Sequence, residues 1–394
     1  MSAVPVAYPF IEVTITPPAA PVAQRSPGVI AIVGKTPAGA DGGVAPPNTA
    51  VEIDTLDDAV TNFAKKNADG TVAETTLYKS IALAFLQNPK PSKIYGVRVD
   101  GDHYAAALAG LEGVADVTFV SLANEVDVGS PAGANPATGL QALKAHVESM
   151  SSQGLNRIGV AMVDPATPKS PTYAADIVNH VTAPNTLKSD TSRMIMVAAR
   201  GASGDVATAA MAAIAGYSPQ TSIVLKPIAG ISIASDKRYS PGEIIALSNA
   251  NIIPIIHPAL ITGDTLTFGE GRLFTTNFSL LFVDLVRVID DANFKLQAGL
   301  IGLIGDARIT KAGLTLLKAQ ISGILDQMVA TAEIDDYQVD VPILSILQTP
   351  DTTWTAADSQ RVTDARSNRL IDAVATIKIG PAFTHLLLNV AVKF

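Results

Sequence analysis

Hydrophobic residues along this chain follow two rhythms. Crowded or alternating runs predict strands, and runs recurring every three to four positions predict amphipathic helices. Residues 10–16 are β-branched and roughly alternating, which predicts a short strand. Pro17, Pro18, Pro21 and Pro27 then bar a helix and favour an extended course. Residues 29–34 (VIAIVG) read as a buried strand, and 51–53 as a short extended piece. Thr55 is placed to cap a helix opening LDDAVTNF, with Asp57 and Asp58 in the first turn, where the helix dipole favours acids. Residues 76–87 predict a second helix, stopped by Asn88-Pro89 and Pro91, and KIYGVRV at 93–99 predicts a strand.

From about residue 101 strands and helices alternate. Strands are expected at 117–122, 157–163, 193–199 and 223–225, with helices at 139–149, 174–182 and 205–215. Such a βα succession predicts a largely parallel sheet covered by helices. A helix at 244–249 and an apolar strand at 252–256 follow. The last third carries long amphipathic helices at 276–291 and 310–330, a strand-like stretch at 337–347 and a charged helix at 355–370. It ends in strands at 374–379 and 384–394. Both ends of the chain are thus expected to be strands without a sequence-adjacent partner, and an unpaired strand edge invites association.

The 394 residues exceed the roughly 250–300 that one core usually serves, so two or more domains are expected. Hydrophobic residues make up 48% and charged residues only 16%, which implies a large core or a surface buried against other copies. The net charge of −8 and the lack of a basic tract argue against a nucleic-acid partner. With no cysteine, disulfides and thiolate metal sites are excluded. The apolar stretches are too short to span a bilayer, and the opening residues do not read as a secretion signal.

Candidate chemistry is thin. Ile32-Val33-Gly34-Lys35-Thr36 resembles the end of a phosphate-binding loop, but its first glycine is out of register and Pro37 follows at once. Gly201-Ala202-Ser203-Gly204-Asp205 stands where a dinucleotide would bind, yet it lacks the third glycine, and Asp205 would repel phosphate. His103, His146, His180, His257 and His385 show no metal-ligand spacing, and His257 reads as a core histidine. Adjacent acids such as Asp57/Asp58, Asp290/Asp291 and Asp335/Asp336 point to different sides. No catalytic residue, cofactor or metal is expected. Gly299, Gly302 and Gly305 suit either close backbone approach or a loop between helices. Two basic groups remain: Arg361, Arg366 and Arg369 in the charged helix, and Arg308, Lys311 and Lys318.

The order of segments resembles the contractile tail sheath family of bacteriophages, R-type bacteriocins and contractile injection systems. The resemblance rests on SPGVIAIVG at 26–34, the 55–63 segment, KIYGVRV, LSNANIIPII at 247–256, GEGRL at 269–273, LVRVID at 285–290 and PAFTHLLLNV at 381–390. Larger sheaths carry a tryptophan near the arginine of the GEGRL region, whereas Leu273-Phe274 stand here.

The resemblance implies an α/β fold, α+β overall. An outer βα domain would hold a mostly parallel sheet, and an inner α+β C-terminal domain would have a small sheet completed by strands from neighbouring subunits. It divides the chain into an N-terminal arm (1–27), a first part of the core (28–100), an outer variable domain (101–240), a tube-facing domain (241–375) and C-terminal arm strands (376–394). Phe10, Ile11, Val13, Ile15, Ile377, Ile379, Leu386, Leu388, Val390 and Val392 would lie on strands shared between subunits. Arg361, Arg366 and Arg369, with Arg308, Lys311 and Lys318 as second choice, would face the tube. The implied partners are other copies in stacked hexameric rings, an inner tail tube protein, and baseplate and terminator proteins, with no nucleic acid and no membrane insertion. The implied setting is a virion tail or injection particle assembled in the bacterial cytoplasm. The rival readings are a self-assembling shell or surface-layer protein and a nucleotide-binding α/β enzyme.

Overall fold

The computed structural model describes residues 26, 28–37, 39–129, 138–182, 187–258, 261, 263 and 265–382. The first apolar run forms β1 (Val29–Lys35), buried except at its terminal lysine. After β2 (Ala50–Glu52), Thr55 caps α1 (Leu56–Phe63). Its hydroxyl accepts from the Asp58 N–H, and the Asp58 carboxylate accepts from the Thr55 N–H at 2.9 Å. A short hairpin, β3 (Lys65–Lys66) and β4 (Val72–Ala73), leads to α2 (Thr76–Phe85). Then come β5 (Lys93–Val99), α3 (Tyr104–Ala109), β6 (Phe119–Leu122), α4 (Gly139–Ser152), β7 (Ile158–Met162), α5 (Tyr173–Thr182), β8 (Met194–Ala198) and α6 (Val206–Gly216). They are followed by β9 (Pro227–Ile228), α7 (Pro241–Asn249), β10 (Ile253–Ile256) and β11 (Leu266–Phe268). The last described elements are α8 (Val283–Leu300), α9 (Lys311–Ala330), β12 (Asp336–Asp340), α10 (Pro342–Gln348), α11 (Ala356–Asn368) and β13 (Val374–Lys378).

Among the described residues nine strands form one sheet in the order β2-β5-β1-β6-β7-β8-β10-β11-β9. The inner run from β5 to β10 is parallel, and antiparallel strands sit at both margins. This is the mostly parallel sheet that the βα succession predicts. Both faces are buried, so alternate residues enter two separate cores. Ile30, Ile32, Val160, Ile195 and Val197 pack toward α1, α2 and α6. Ala31, Val33, Ala161, Met194 and Met196 pack toward α3, α4, α5 and α7. Helix α6 is buried along nearly its whole length, which its run of alanines permits by letting the helix lie close to the sheet.

Buried arginines tie the helices to the sheet. Arg157 donates to His146 Nε2 at 2.8 Å and to the Leu111 and Val114 carbonyls. Arg200 lies over the rings of Tyr173 and Tyr239 and pairs with Glu243 in the first turn of α7. Arg287 of α8 donates to the carbonyls of Tyr217 and Ser218 just past α6, where the helix dipole favours a cation.

Three expected boundaries moved. The strand expected at 223–225 is a turn in which Leu225 has φ 60°, and the pairing strand lies at β9. The helix expected at 276–291 begins only at Val283. Backbone groups before it bond elsewhere: Phe274 N–H to Met194 O at 2.7 Å and Thr276 N–H to Ser189 O at 2.9 Å. The stretch at 337–347 splits, because Pro342 cannot donate to a ladder but suits the first position of α10.

Contact density divides the chain into two compact units. One spans residues 25–294 together with 329–336 and 377–394; the other has 1–24, 295–328 and 337–376. The nine-stranded sheet takes strands from both sides of residues 100 and 240, so neither position separates compact units. Within the second unit the end of α8 lies against α9. A Cβ added at Gly299 would stand 2.5 Å from Ile324 Cδ1, and Gln320 donates to the Gly299 carbonyl at 2.9 Å. Gly299 therefore serves close approach, whereas Gly302 and Gly305 lie in the connection with open space around them. No described helix is long and apolar enough to cross a membrane.

Candidate intersubunit interface

Strands β12 and β13 form a sheet of their own, and among the described residues neither pairs with a third strand. Both alternate. Tyr337 and Val339, like Ala375 and Ile377, are partly or fully buried, while Asp336, Gln338, Asp340, Val374, Thr376 and Lys378 are exposed. The Tyr337 hydroxyl donates to Asp326 Oδ1 at 2.6 Å and lies 3.1 Å from the Ser322 carbonyl, both on α9. Asp335 N–H donates to the Lys378 carbonyl at 2.8 Å. A ribbon of two strands is marginal alone and leaves backbone donors and acceptors on its outer edges. Such an edge suits an added strand. Ile377 lies on the inward side of this ribbon, and Ile379 follows it half-buried. Phe10, Ile11, Val13, Ile15, Leu386, Leu388, Val390 and Val392 lie outside the described residues.

Helix α11 carries the first basic group. Thr355 caps it in a capping box with Asp358, whose carboxyl is held below the usual range by the Thr355 hydroxyl and N–H. Only Val362 and Ala365 are buried, which leaves Arg361 and Arg366 exposed. Arg369, also exposed, adopts a left-handed conformation, φ 53°, that closes the helix. Arg308, Lys311 and Lys318 are exposed too. Arg366 Nε donates to the Ile309 carbonyl at 3.4 Å, so the two basic groups border one another across 57 positions of sequence. Nothing in the linear pattern signals that proximity. Two further features of this unit are equally silent in sequence. Ile301 and Ile304, in the α8–α9 connection, are 72% and 82% exposed. A groove of about 430 Å³ runs between α10, α11 and the chain leading to β13.

The places where an α/β sheet would hold a small molecule are filled by the chain itself. The strand order reverses at β1, and the crevice there is the usual ligand site. A Cβ at Gly34 would come within 2.6 Å of Ala123 Cβ and 3.2 Å of Leu77, so the chains close on each other. Lys35 pairs with Asp102 at 2.6 Å. At the turn before α6, the Asp205 carboxylate takes the N-terminal position a phosphate would need. It accepts from Thr208 N–H, Thr208 Oγ1, Ser80 Oγ and Asn124 N–H, at 2.6–3.0 Å. His257 is half-exposed, with Nε2 3.1 Å from the Gly263 carbonyl, and so is not a core residue.

No protein-family model matches the chain, and no curated protein matches it in sequence. Solved structures do. The helical sheath of the anti-feeding prophage in its contracted state superposes with a TM-score of 0.64 at 13% identity, covering 99% of both chains. The chain has the fold of contractile sheath proteins. The contracted sheath complex of the PVC extracellular contractile injection system gives 0.64 at 13% identity, over 99% of this chain and 98% of its own. A sheath tail protein from Desulfitobacterium hafniense gives 0.54 at 10% identity, over 84% and 92%. The likeness in fold therefore covers essentially the whole chain, including the smaller unit with most of β12 and β13.

Proposed function

We propose that this chain is a structural subunit that polymerises around an inner tube as the sheath of a contractile particle. The end-to-end likeness to a helical sheath at 13% identity carries this reading, because it covers both the large sheet and the small ribbon. On this reading copies stack as hexameric layers, and Ile377 and Ile379 belong to strands shared between copies. The segments holding Phe10, Ile11, Val13 and Ile15, and Leu386, Leu388, Val390 and Val392, complete the β12–β13 ribbon of neighbours. Backbone hydrogen bonds make that link, so it survives while rigid subunits rotate and slide during contraction. The basic group of α11, Arg361, Arg366 and Arg369, faces the inner tube, and the Arg308, Lys311 and Lys318 group is the alternative to it. There such charges set register more than affinity. Baseplate and terminator proteins cap the ends, and the subunit performs no covalent chemistry.

Negative-stain imaging of the chain coexpressed with its tube protein tests this. Striated tubes are expected. Flat sheets would favour a surface-layer protein, and small discrete particles would end the assembly reading.

A further inference from the structure

The α8–α9 connection displays its apolar side chains to water. Ile301 and Ile304 are 72% and 82% exposed, on a loop where Gly302 and Gly305 have no neighbouring atoms within 4 Å of an added Cβ. Arg308 and Lys311 follow, with Asp306 as the acid between. Two nearly bare isoleucines on one loop tip form a knob whose solvation is unfavourable unless something covers it.

The same unit contains a socket. Pro342, Ile343, Ala365 and Leu370 line the groove of about 430 Å³ with apolar atoms, and Leu370 is 63% exposed. The rim carries Asp364 and Asp372 against Arg361. Gln360 donates to one oxygen of Asp364 at 2.7 Å, leaving the other oxygen available. The volume lies in the range of pockets that hold small apolar ligands. The knob carries two bases and one acid; the socket carries two acids and one base. The tip does not occupy its own socket, since both isoleucines face water.

We infer that the Ile301–Ile304 tip of one copy seats in the Ile343–Leu370 groove of a second copy, with Arg308 and Lys311 meeting Asp364 and Asp372. This rests on the reading of the chain as a polymerising subunit. It adds a side-chain contact separate from the ribbon edges. A knob and a socket at different places on one chain make a heterologous contact, which propagates into rings or helical filaments instead of closing as a dimer.

The chain has no cysteine, so introduced cysteines report contacts cleanly. Tubes assembled from a chain carrying both Ile304→Cys and Ile343→Cys and then oxidised should run as a ladder of linked copies on a non-reducing gel. A mixture of the two single variants should give dimers only. Ile301→Asp with Ile304→Asp should leave the circular dichroism spectrum unchanged while raising the concentration needed for polymerisation about tenfold or more. Arg308→Glu with Lys311→Glu should weaken assembly similarly, and adding Asp364→Lys with Asp372→Lys should restore it.

Normal tubes without cross-links, or normal polymerisation by the Ile301→Asp/Ile304→Asp chain, would overturn the inference while leaving the sheath reading intact. Cross-linking of Ile343→Cys to a cysteine at Leu388 in its place would assign the groove to the C-terminal segment and likewise overturn it. Absence of any polymer from the unaltered chain with its tube protein would remove both.

Discussion

Ile195, in the middle of the large sheet, is sealed from water, whereas Leu370, at the end of α11, is largely exposed. The contrast holds across the two units. The sheet unit has two aliphatic cores, one on each face, and internal partners for its buried arginines. The smaller unit buries only scattered positions such as Leu314, Ile321 and Leu344, and leaves Ile301, Ile304, Leu316 and Leu370 in water. The sheet unit closes two cores around its strands, although Phe278 and Val44 stay 82% and 73% exposed; the smaller unit presents ribbon edges, a knob and a socket.

The sharpest way to break this comparison is one truncation made in each unit. Ile195→Ala should cost about 4 kcal/mol, from lost burial and the cavity left behind. Leu370→Ala should change monomer stability by less than about 0.5 kcal/mol. Urea denaturation of the unassembled chain measures both, and similar losses at the two sites would erase the distinction.

Next in size is the Arg200–Glu243 pair. Glu243 is held down to about 2, first by the hydrogen bond from Arg200. Glu243→Gln should destabilise by about 3 kcal/mol, because it leaves a buried guanidinium without its counter-charge. The same denaturation series reads this.

A pH scan gives the third test. Burial, with Arg157 alongside, lowers the His146 pKa from 6.5 to about 4. The folded state therefore binds this proton less readily than the unfolded one. The stability is fully present above pH 6.5 and is lost as pH falls through 4, by about 2 kcal/mol at pH 5. His146→Gln, which can still accept from Arg157, should flatten the slope of stability between pH 6.5 and 4. An unchanged slope would show that His146 is not the source.

The smallest expected effect is at a cap. Thr355→Ala removes the acceptor for the Asp358 N–H and should cost about 1 kcal/mol. Circular dichroism melts would show it only if α11 unfolds with the rest of its unit. A silent result would mark that helix as separately labile.

Much of the large unit was legible before folding. Strands such as 29–34 and 93–99 carry their apolar runs openly, and Thr55 with Asp58 signals a helix start by local hydrogen bonding. Two of the three misplacements have one cause: the backbone's partners lie outside the local window. The segment at 276–282 reads as amphipathic helix, yet the Thr276 N–H bonds to the Ser189 carbonyl and the Leu281 carbonyl accepts from the Leu273 N–H. Residues 223–225 look like a strand, but the pairing goes to β9. Pro342 was visible, and it divides strand from helix as its ring requires.

Local periodicity and turn chemistry act within a few residues, so the sequence by itself determined the βα succession, the parallel sheet and most helix starts. The apolar content of 48% left open either a large core or a surface buried against other copies. Only the tertiary structure decided which surfaces remain unsatisfied. Exposure depends on what the rest of the chain does or does not cover, and no window of sequence records that. Ile301 and Ile304 read like any helix-linking apolar pair until folding leaves them bare. Arg366 becomes a neighbour of the Arg308 loop only when α11 packs beside it.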